Sequence, residues 1–225
     1  MVQSKKVKSL TKAEIGEIFQ RFREIEPEPR GELEYVNAFT LLVAVVLSAQ
    51  ATDAGVNKAT RKLFELAPSP AAMVALGQDT IEQLVKTIGL YRTKAKNVFL
   101  LSQILLETYN GEVPQDRNAL EALPGVGRKT ANVVLNIFFG QPTMAVDTHV
   151  FRVSNRTGMA VAPTPLAVEQ KLLKVVPGEF MLHAHHWLIL HGRYICKARV
   201  PECWRCPIAQ WCRYEPKTPP PKPAK

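Results

Sequence analysis

Apolar residues recur along the chain at spacings of three and four, the period of a helix that buries one face. Ile15, Ile18, Phe19, Phe22 and Ile25 follow Thr11-Lys-Ala-Glu14, which has the form of a capping box. Pro27 and Pro29 end that helix, because proline lacks the amide that the next turn needs. Ala38 to Leu47 is apolar on nearly every face and reads as a helix buried all round. Asp53 is placed to cap a helix reaching about Leu66, and Ser69-Pro70 supplies a cap followed by proline at the first helical position. Asp79 opens a segment from Ile81 to Ile88, which Gly89 closes as a left-handed residue. Thr93 to Tyr109 is long and amphipathic and stops at Asn110-Gly111. Four more helices follow: Arg128 to Phe139, Thr148 to Arg156, Thr164 to Val176 and about Phe180 to Tyr194. No segment alternates apolar and polar residues long enough to argue for a strand. The pattern predicts an all-α fold.

Composition changes this picture little. With 225 residues and 46% apolar content the chain can bury a real core in one or two domains. The longest unbroken apolar run, Leu41 to Leu47, is far too short for a bilayer, and the basic N-terminus has no apolar stretch behind it to make a secretory signal. The expectation is a soluble, cytoplasmic protein with no membrane partner. The charge says more: 29 Lys and Arg against 20 Asp and Glu leave +9, which favours a polyanionic partner such as nucleic acid. The last eleven residues, Glu215 to Lys225, hold five prolines and three lysines and read as a solvated, disordered or polyproline-like tail.

Leu123-Pro-Gly-Val-Gly127-Arg-Lys-Thr-Ala joins two helices through a turn with glycines at 125 and 127. Both glycines permit positive φ and close backbone approach, and the amides of the helix that starts here point into the turn. Gly125, Val126, Gly127 and Arg128 therefore make a candidate phosphate site. Lys129 lies in the first turn of that helix, where the helix dipole and Arg128 both favour a neutral amine, and a neutral amine can form a Schiff base. A phosphate-binding lysine is the commoner occupant of such a place. Asp147 stands before a helix that begins at Thr148; it can cap that helix, and the same rigidly held carboxylate can serve chemistry.

Cys196, Cys203, Cys206 and Cys212 are spaced C-x6-C-x2-C-x5-C and are the only cysteines. Without a secretory signal two disulfides are poor candidates, and four thiolates in so short a segment suit a metal centre. Structural zinc usually takes two C-x2-C knuckles set well apart, and only one occurs here, so the spacing leans toward a [4Fe–4S] cluster over zinc. Arg193, Lys197, Arg199, Arg205 and Arg213 surround these cysteines against Glu202 alone, which suits phosphate contact and gives the metal a structural part. Four of the five histidines fall between His183 and His191. His183 and His186 share a helix face, yet no nearby ligand completes a site, and core or surface positions explain them better.

Together these features resemble the endonuclease III family, bifunctional DNA glycosylases and abasic-site lyases of the helix-hairpin-helix superfamily. The resemblance covers about residues 10 to 214. It rests on Leu47-Ser-Ala-Gln-Ala-Thr-Asp53, Thr87-Ile-Gly-Leu-Tyr91, Leu123 to Ala131, Val146-Asp-Thr-His-Val-Phe-Arg152, His185 to Tyr194 and the cysteine loop. It implies two helical domains with DNA across the cleft between them: a six-helix barrel at 31–141 that ends with the hairpin, and an iron–sulfur domain of 1–30 plus 142–214, followed by the tail 215–225. It implies a catalytic pair, Lys129 as nucleophile and Asp147 as its acidic helper, and a [4Fe–4S] cluster on the four cysteines. Gln50 would fill the space left by a flipped nucleotide and Leu90 would wedge into the opposite strand. The hairpin residues 125–128, with His149, Lys197 and Arg199, would be further DNA contacts. The implied substrate is double-stranded DNA carrying oxidised pyrimidines such as thymine glycol, or abasic sites, and the protein would act as a nucleoid-associated monomer.

Rival readings remain within the superfamily and outside it. An adenine glycosylase carries a catalytic Glu where this chain has Ala44, and neither it nor a mismatch-specific thymine glycosylase has a lysine at position 129. A non-catalytic DNA-binding iron–sulfur protein would keep the hairpin and the cysteines but need no Lys129–Asp147 pair.

Overall fold

A computed structural model describes residues 8–222. Among them the chain forms eleven α-helices and two short 3-10 turns, and no strand. The fold is all-α. It divides into two compact units, one of residues 31–141 and one of residues 1–30 with 142–225.

The 31–141 unit is built around α2 (Ala38–Leu47), in which every residue from Phe39 to Leu47 is buried. Asn37 caps it in a reciprocal box with Thr40, so even the polar start of this apolar helix is satisfied by its own sequence. Helices α3 (Asp53–Leu66), α6 (Tyr91–Tyr109) and α8 (Arg128–Ile137) pack on α2, while α4 (Pro70–Leu76) and α5 (Gln78–Val85) pack on α6. Thr52, not Asp53, caps α3, its hydroxyl accepting from the Gly55 amide at 3.2 Å. Asp53 then falls in the first turn, where its charge suits the positive helix end. Helix α5 starts three residues before the expected Ile81, because Gly77 at φ +81° lets the chain turn straight out of α4. A seventh helix, α7 (Arg117–Glu121), precedes the hairpin. It has only five residues, too few to show a period, and Asp116 caps it through the Ala119 amide at 2.9 Å.

In the other unit, α1 (Lys12–Ile25) carries the expected capping box, and its apolar face meets α9 (Thr148–Thr157), α10 (Pro165–Val175) and α11 (Met181–Tyr194) in one core. Phe19, fully buried, has the rings of Phe22, Phe180 and Trp187 about it, with centroids 5.9 to 6.1 Å away. Helices α9 and α11 cross closely at Gly192: a Cβ there would lie 2.8 Å from the His149 Cβ. Helix α1 also holds the segment around Cys212, since the Trp211 indole donates to Glu17 at 2.6 Å and Arg213 pairs with Glu14. No helix among the described residues is long and apolar enough to cross a membrane.

Three of the four α11 histidines, His185, His186 and His191, are buried, and His183 is half-buried. His185 is 2% exposed with its Nδ1 on the Ala145 carbonyl at 2.7 Å, and His191 lies against the Phe22 ring. His186 is buried beside the His185 ring, and that burial, with His183 close by, lowers its pKa from 6.5 to about 4. A cation whose folded pKa lies below its unfolded value leaves the unfolded state binding more protons between the two. Its contribution is therefore complete above pH 6.5 and is lost as the pH falls toward 4. The full shift corresponds to a loss on the order of 3 kcal/mol. His186→Leu should flatten this part of the stability profile, measured as urea midpoints across that window, and an unchanged profile would remove His186 as its source.

Candidate active site

The hairpin at 123–127 links α7 to α8. Gly125 has φ +77°, and a Cβ on it would meet the Asn97 side chain of α6 at 2.8 Å, so both backbone shape and space demand glycine. Gly127 differs from expectation: its φ is −97°, ordinary extended backbone. A Cβ at Gly127 would meet nothing within 4 Å, so neither packing nor backbone explains the missing side chain. What it leaves bare is the N-terminal end of α8, which has no side-chain cap. Val126 is buried, and its amide donates to the Leu123 carbonyl at 3.1 Å. Its place is thus beneath the turn, with neither side chain nor N–H offered to a phosphate. Arg128 points toward Glu121 at 4.0 Å, and Glu121 also meets Arg117 at 3.6 Å. Lys129 follows in the first turn of α8, half-buried.

Gln50 and Leu90 belong to the same unit as the hairpin. Among the described residues only three non-glycine residues have positive φ, namely Gln50 (+54°), Leu90 (+59°) and Asn110 (+51°). The left-handed position expected at Gly89 thus falls on Leu90, a branched residue that is 61% exposed. Left-handed backbone costs an ordinary L-residue about 1 kcal/mol, and such strain persists only where the surroundings impose it. Asn110 is a helix end, where this conformation is common. Gln50 and Leu90 are exposed tips that hold an unfavourable shape and bury little. This signal is absent from hydrophobic periodicity, and in the sequence only the family resemblance singles out the two residues.

Asp147, His149 and the cysteines belong to the other unit. Asp147 caps α9, its Oδ1 accepting from the Val150 amide at 2.8 Å. The carboxylate is half-buried and fixed in direction by that bond. His149 lies two residues on, in the first turn of α9, its Nδ1 3.1 Å from the Arg152 guanidinium. Arg152 also donates to the carbonyls of Cys196 at 3.0 Å and Gly192 at 2.8 Å. Desolvation lowers the Arg152 pKa, with Arg156 adding to the shift. Arg156, one turn further along α9, donates to the Lys197 and Ala198 carbonyls, each at 2.6 Å. Two arginines of α9 thus grip the first leg of the cysteine loop.

Cys196, Cys203, Cys206 and Cys212 all line one hollow, with Thr157, His191 and Tyr214 among its other walls, and none is in a disulfide. As they stand, no group of three or more His, Cys, Asp or Glu among the described residues could hold a single metal ion. Burial raises the Cys206 thiol to about 11, and the other three cysteines push it in the same direction. Cys212 is raised likewise, mainly by burial. Four thiolates could share this hollow only with positive charge among them. Arg156 reaches to 3.8 Å of the Cys196 sulfur, and His191 Nε2 to 3.8 Å of the Cys206 sulfur. An all-thiol donor set around one hollow, with such second contacts, fits a polynuclear iron–sulfur group. On the loop, Lys197 donates to Glu202 at 2.6 Å, and Arg199 is exposed. Lys197 and then Arg205, both bonded to Glu202, hold its carboxyl below the usual range.

An all-helical chain with a glycine hairpin, a lysine in the turn behind it and a four-cysteine loop has the build of a helix-hairpin-helix DNA glycosylase. Residues 43–178 match the HhH-GPD superfamily base excision DNA repair protein family. The chain is 59% identical over 208 residues to Endonuclease III of Escherichia coli (strain K12), covering 92% of this chain and 99% of that one. It is 58% identical over 201 residues to Endonuclease III of Haemophilus influenzae, covering 89% and 95%. A solved Endonuclease III–DNA covalent intermediate superposes with TM-score 0.85 at 48% identity, covering 91% of this chain and 96% of that one. A thermostable thymine-DNA glycosylase shares the fold, with TM-score 0.78 at 24% identity over 90% of this chain and 94% of that one. The chain belongs to the HhH-GPD superfamily of base excision DNA repair proteins. It is a base-excision-repair DNA glycosylase with abasic-site lyase activity.

Two substitutions separate function from folding here. Leu90→Gly removes the backbone strain and loses little burial, so stability should hold or rise by up to about 1 kcal/mol while base excision falls several-fold. A Leu90→Gly protein with a lowered melting temperature would show that the turn is built for stability instead. Asp147→Asn keeps a good N-cap, since Asn ranks with Asp there, and should melt within a degree or two of the parent. Its activity should nevertheless drop at least about tenfold, the size expected for removing charge from a transition state. Retained activity in Asp147→Asn would confine Asp147 to capping.

Proposed function

We propose that this enzyme excises oxidised pyrimidines, such as thymine glycol, from double-stranded DNA and then cuts the strand 3′ to the abasic site through a Schiff base on Lys129. The observation that carries the reading is the position of Lys129, in the first turn of α8 directly behind the bare hairpin end. A lysine there meets the positive end of the helix, which favours the neutral, nucleophilic amine. A relative 48% identical has been solved as a trapped covalent intermediate with DNA, which supports the same chemistry for this chain.

The Lys129 amine attacks C1′ of the extruded nucleotide, and the C1′–N bond breaks with its electrons leaving on the damaged base, which takes up a proton. The Asp147 carboxylate stabilises positive charge developing on the sugar and helps to move protons. The amine loses a proton and the sugar ring opens, giving an imine at C1′. The imine acidifies the C2′ proton; a base removes it, and the 3′ phosphate departs as the C2′–C3′ double bond forms. Water then hydrolyses the imine and returns Lys129.

Gln50 and Leu90 are the candidates to occupy the disturbed stack, since a base pair broken at a cost of a few kcal/mol must be kept from reforming. The amides at Gly125 and Gly127 and the side chains of Arg128, His149, Lys197 and Arg199 are the candidate backbone contacts. Cys196, Cys203, Cys206 and Cys212 would hold a [4Fe–4S] cluster, whose core would offset part of the charge of the four thiolates and would give rigidity to the loop that carries Lys197 and Arg199. We further propose that residues 31–141 act as the lysine-bearing domain and 1–30 with 142–214 as the cluster domain, that the enzyme works as a monomer, and that it resides in the cytoplasm on the nucleoid.

The test is borohydride trapping on a duplex with one thymine glycol, with Lys129→Ala beside the parent. A covalent adduct in the parent alone is expected. An adduct in Lys129→Ala would assign another nucleophile, and no adduct despite tight binding would mean a monofunctional glycosylase acting through water.

A further inference from the structure

The segment after the last cysteine is not simply released to solvent. Tyr214 lines the cysteine hollow, and the Arg156 guanidinium lies over its ring at 5.2 Å. The Lys217 ammonium then turns back and donates to the Cys212 carbonyl at 3.0 Å, to the Tyr214 carbonyl at 2.5 Å and to Glu215 at 2.9 Å. Those bonds put Thr218 on the cysteines: its Oγ1 is 3.8 Å from the Cys203 sulfur. Lys217 and Thr218 are half-buried, whereas residues 219–222 are exposed. The proline-rich tail is therefore pinned as far as Thr218, and the pinned part ends on Cys203.

We infer that Thr218, held by Lys217, is a positioning residue for the cysteine-bound group: its hydroxyl donates to the Cys203 sulfur and the Tyr214–Thr218 segment covers that corner of the hollow. This rests on the proposed assignment of an iron–sulfur cluster to the four cysteines. In the thiol form the sulfur carries the proton and the hydroxyl oxygen accepts it. A ligating thiolate has no proton, so the same pair reverses, with Thr218 as donor and Cys203 as acceptor. A hydrogen bond to a ligand sulfur stabilises the more negative, reduced cluster, and a covered sulfur is slower to meet oxidant or chelator. The effect is local, because the segment follows the last helix of its unit.

The full-length protein and its Thr218→Val, Thr218→Ser and Lys217→Met variants would be prepared without oxygen. Iron and sulfide content would be measured, and the decay of visible cluster absorption followed in air with a chelator. Thr218→Val should lose absorption about threefold faster than the parent, the worth of one modest hydrogen bond. Its cluster potential should also be shifted downward. Thr218→Ser keeps the hydroxyl and should match the parent, and Lys217→Met, which frees the segment, should decay at least as fast as Thr218→Val. Melting temperatures should agree throughout. Equal decay and equal potentials in all four proteins would overturn the role of Thr218 while leaving the cluster in place. A parent protein without iron or sulfide would overturn the cluster assignment itself, and this inference with it.

Discussion

The lysine-bearing unit depends on the complete burial of α2. A helix with no polar face cannot tolerate water on any side, so it fixes where its neighbours must lie. Phe39 to Leu47 are all buried, and α3, α6 and α8 each take a share of that surface. Helix α8 begins at the hairpin and carries Lys129, so the demand of α2 for cover is also what sets the axis on which the nucleophile stands. Helix α6 is constrained twice, once by α2 and once by Asn97, which packs on Gly125 with no room for even one methyl group. The turn that presents amides at the end of α8 is thus braced from beneath by Val126 and from the side by Asn97.

That rigidity allows the tips to be strained. Gln50 lies three residues past the end of α2, and Leu90 immediately precedes α6, whose first amide bond, from Lys94, closes on the Leu90 carbonyl at 3.0 Å. Each carries a left-handed backbone that glycine would adopt without penalty, yet each keeps a side chain able to reach outward. A structure selected for stability alone would place glycine at both. Strain retained on two exposed tips, beside tightly packed helices, is not explained by stability, and it supports the proposed part of both residues in the disturbed stack.

How far the sequence reveals this depends on the range over which each feature is encoded. The all-α fold is written in local periodicity and caps: Thr11 with Glu14, Ser69 with Pro70, and Asp147 before Thr148 each specify a helix start within four residues. Short elements fail that test: the five residues of α7 show no period, and α5 starts three residues before Ile81. The hairpin was legible as a motif but not in detail. Glycine at 127 is not there for its φ, and the left-handed residue near 89 is Leu90, since backbone angles at a turn are set by the packing of the helices on either side. The gathering of four cysteines in one hollow follows from their spacing, whereas the two α9 arginines that hold the loop, some forty residues earlier in the chain, gave no pattern to read.

The cysteine loop also poses an electrostatic problem that its own sequence resolves. Lys197, Arg199 and Arg205 crowd a short, irregular segment that a cluster alone would not keep from splaying under like-charge repulsion. Glu202 sits between them and bonds both Lys197 and Arg205, while its amide donates to the Ile195 carbonyl at 2.8 Å. One carboxylate thus compacts the loop in the absence of DNA. The compaction has a consequence for binding, because a phosphate that takes Lys197 must displace Glu202, and the net gain is an exchange of partners rather than a new ion pair. Exposed exchanges of this kind are worth little individually and are sensitive to salt. A contact of the kind proposed for Lys197 would therefore be made and released at little net cost.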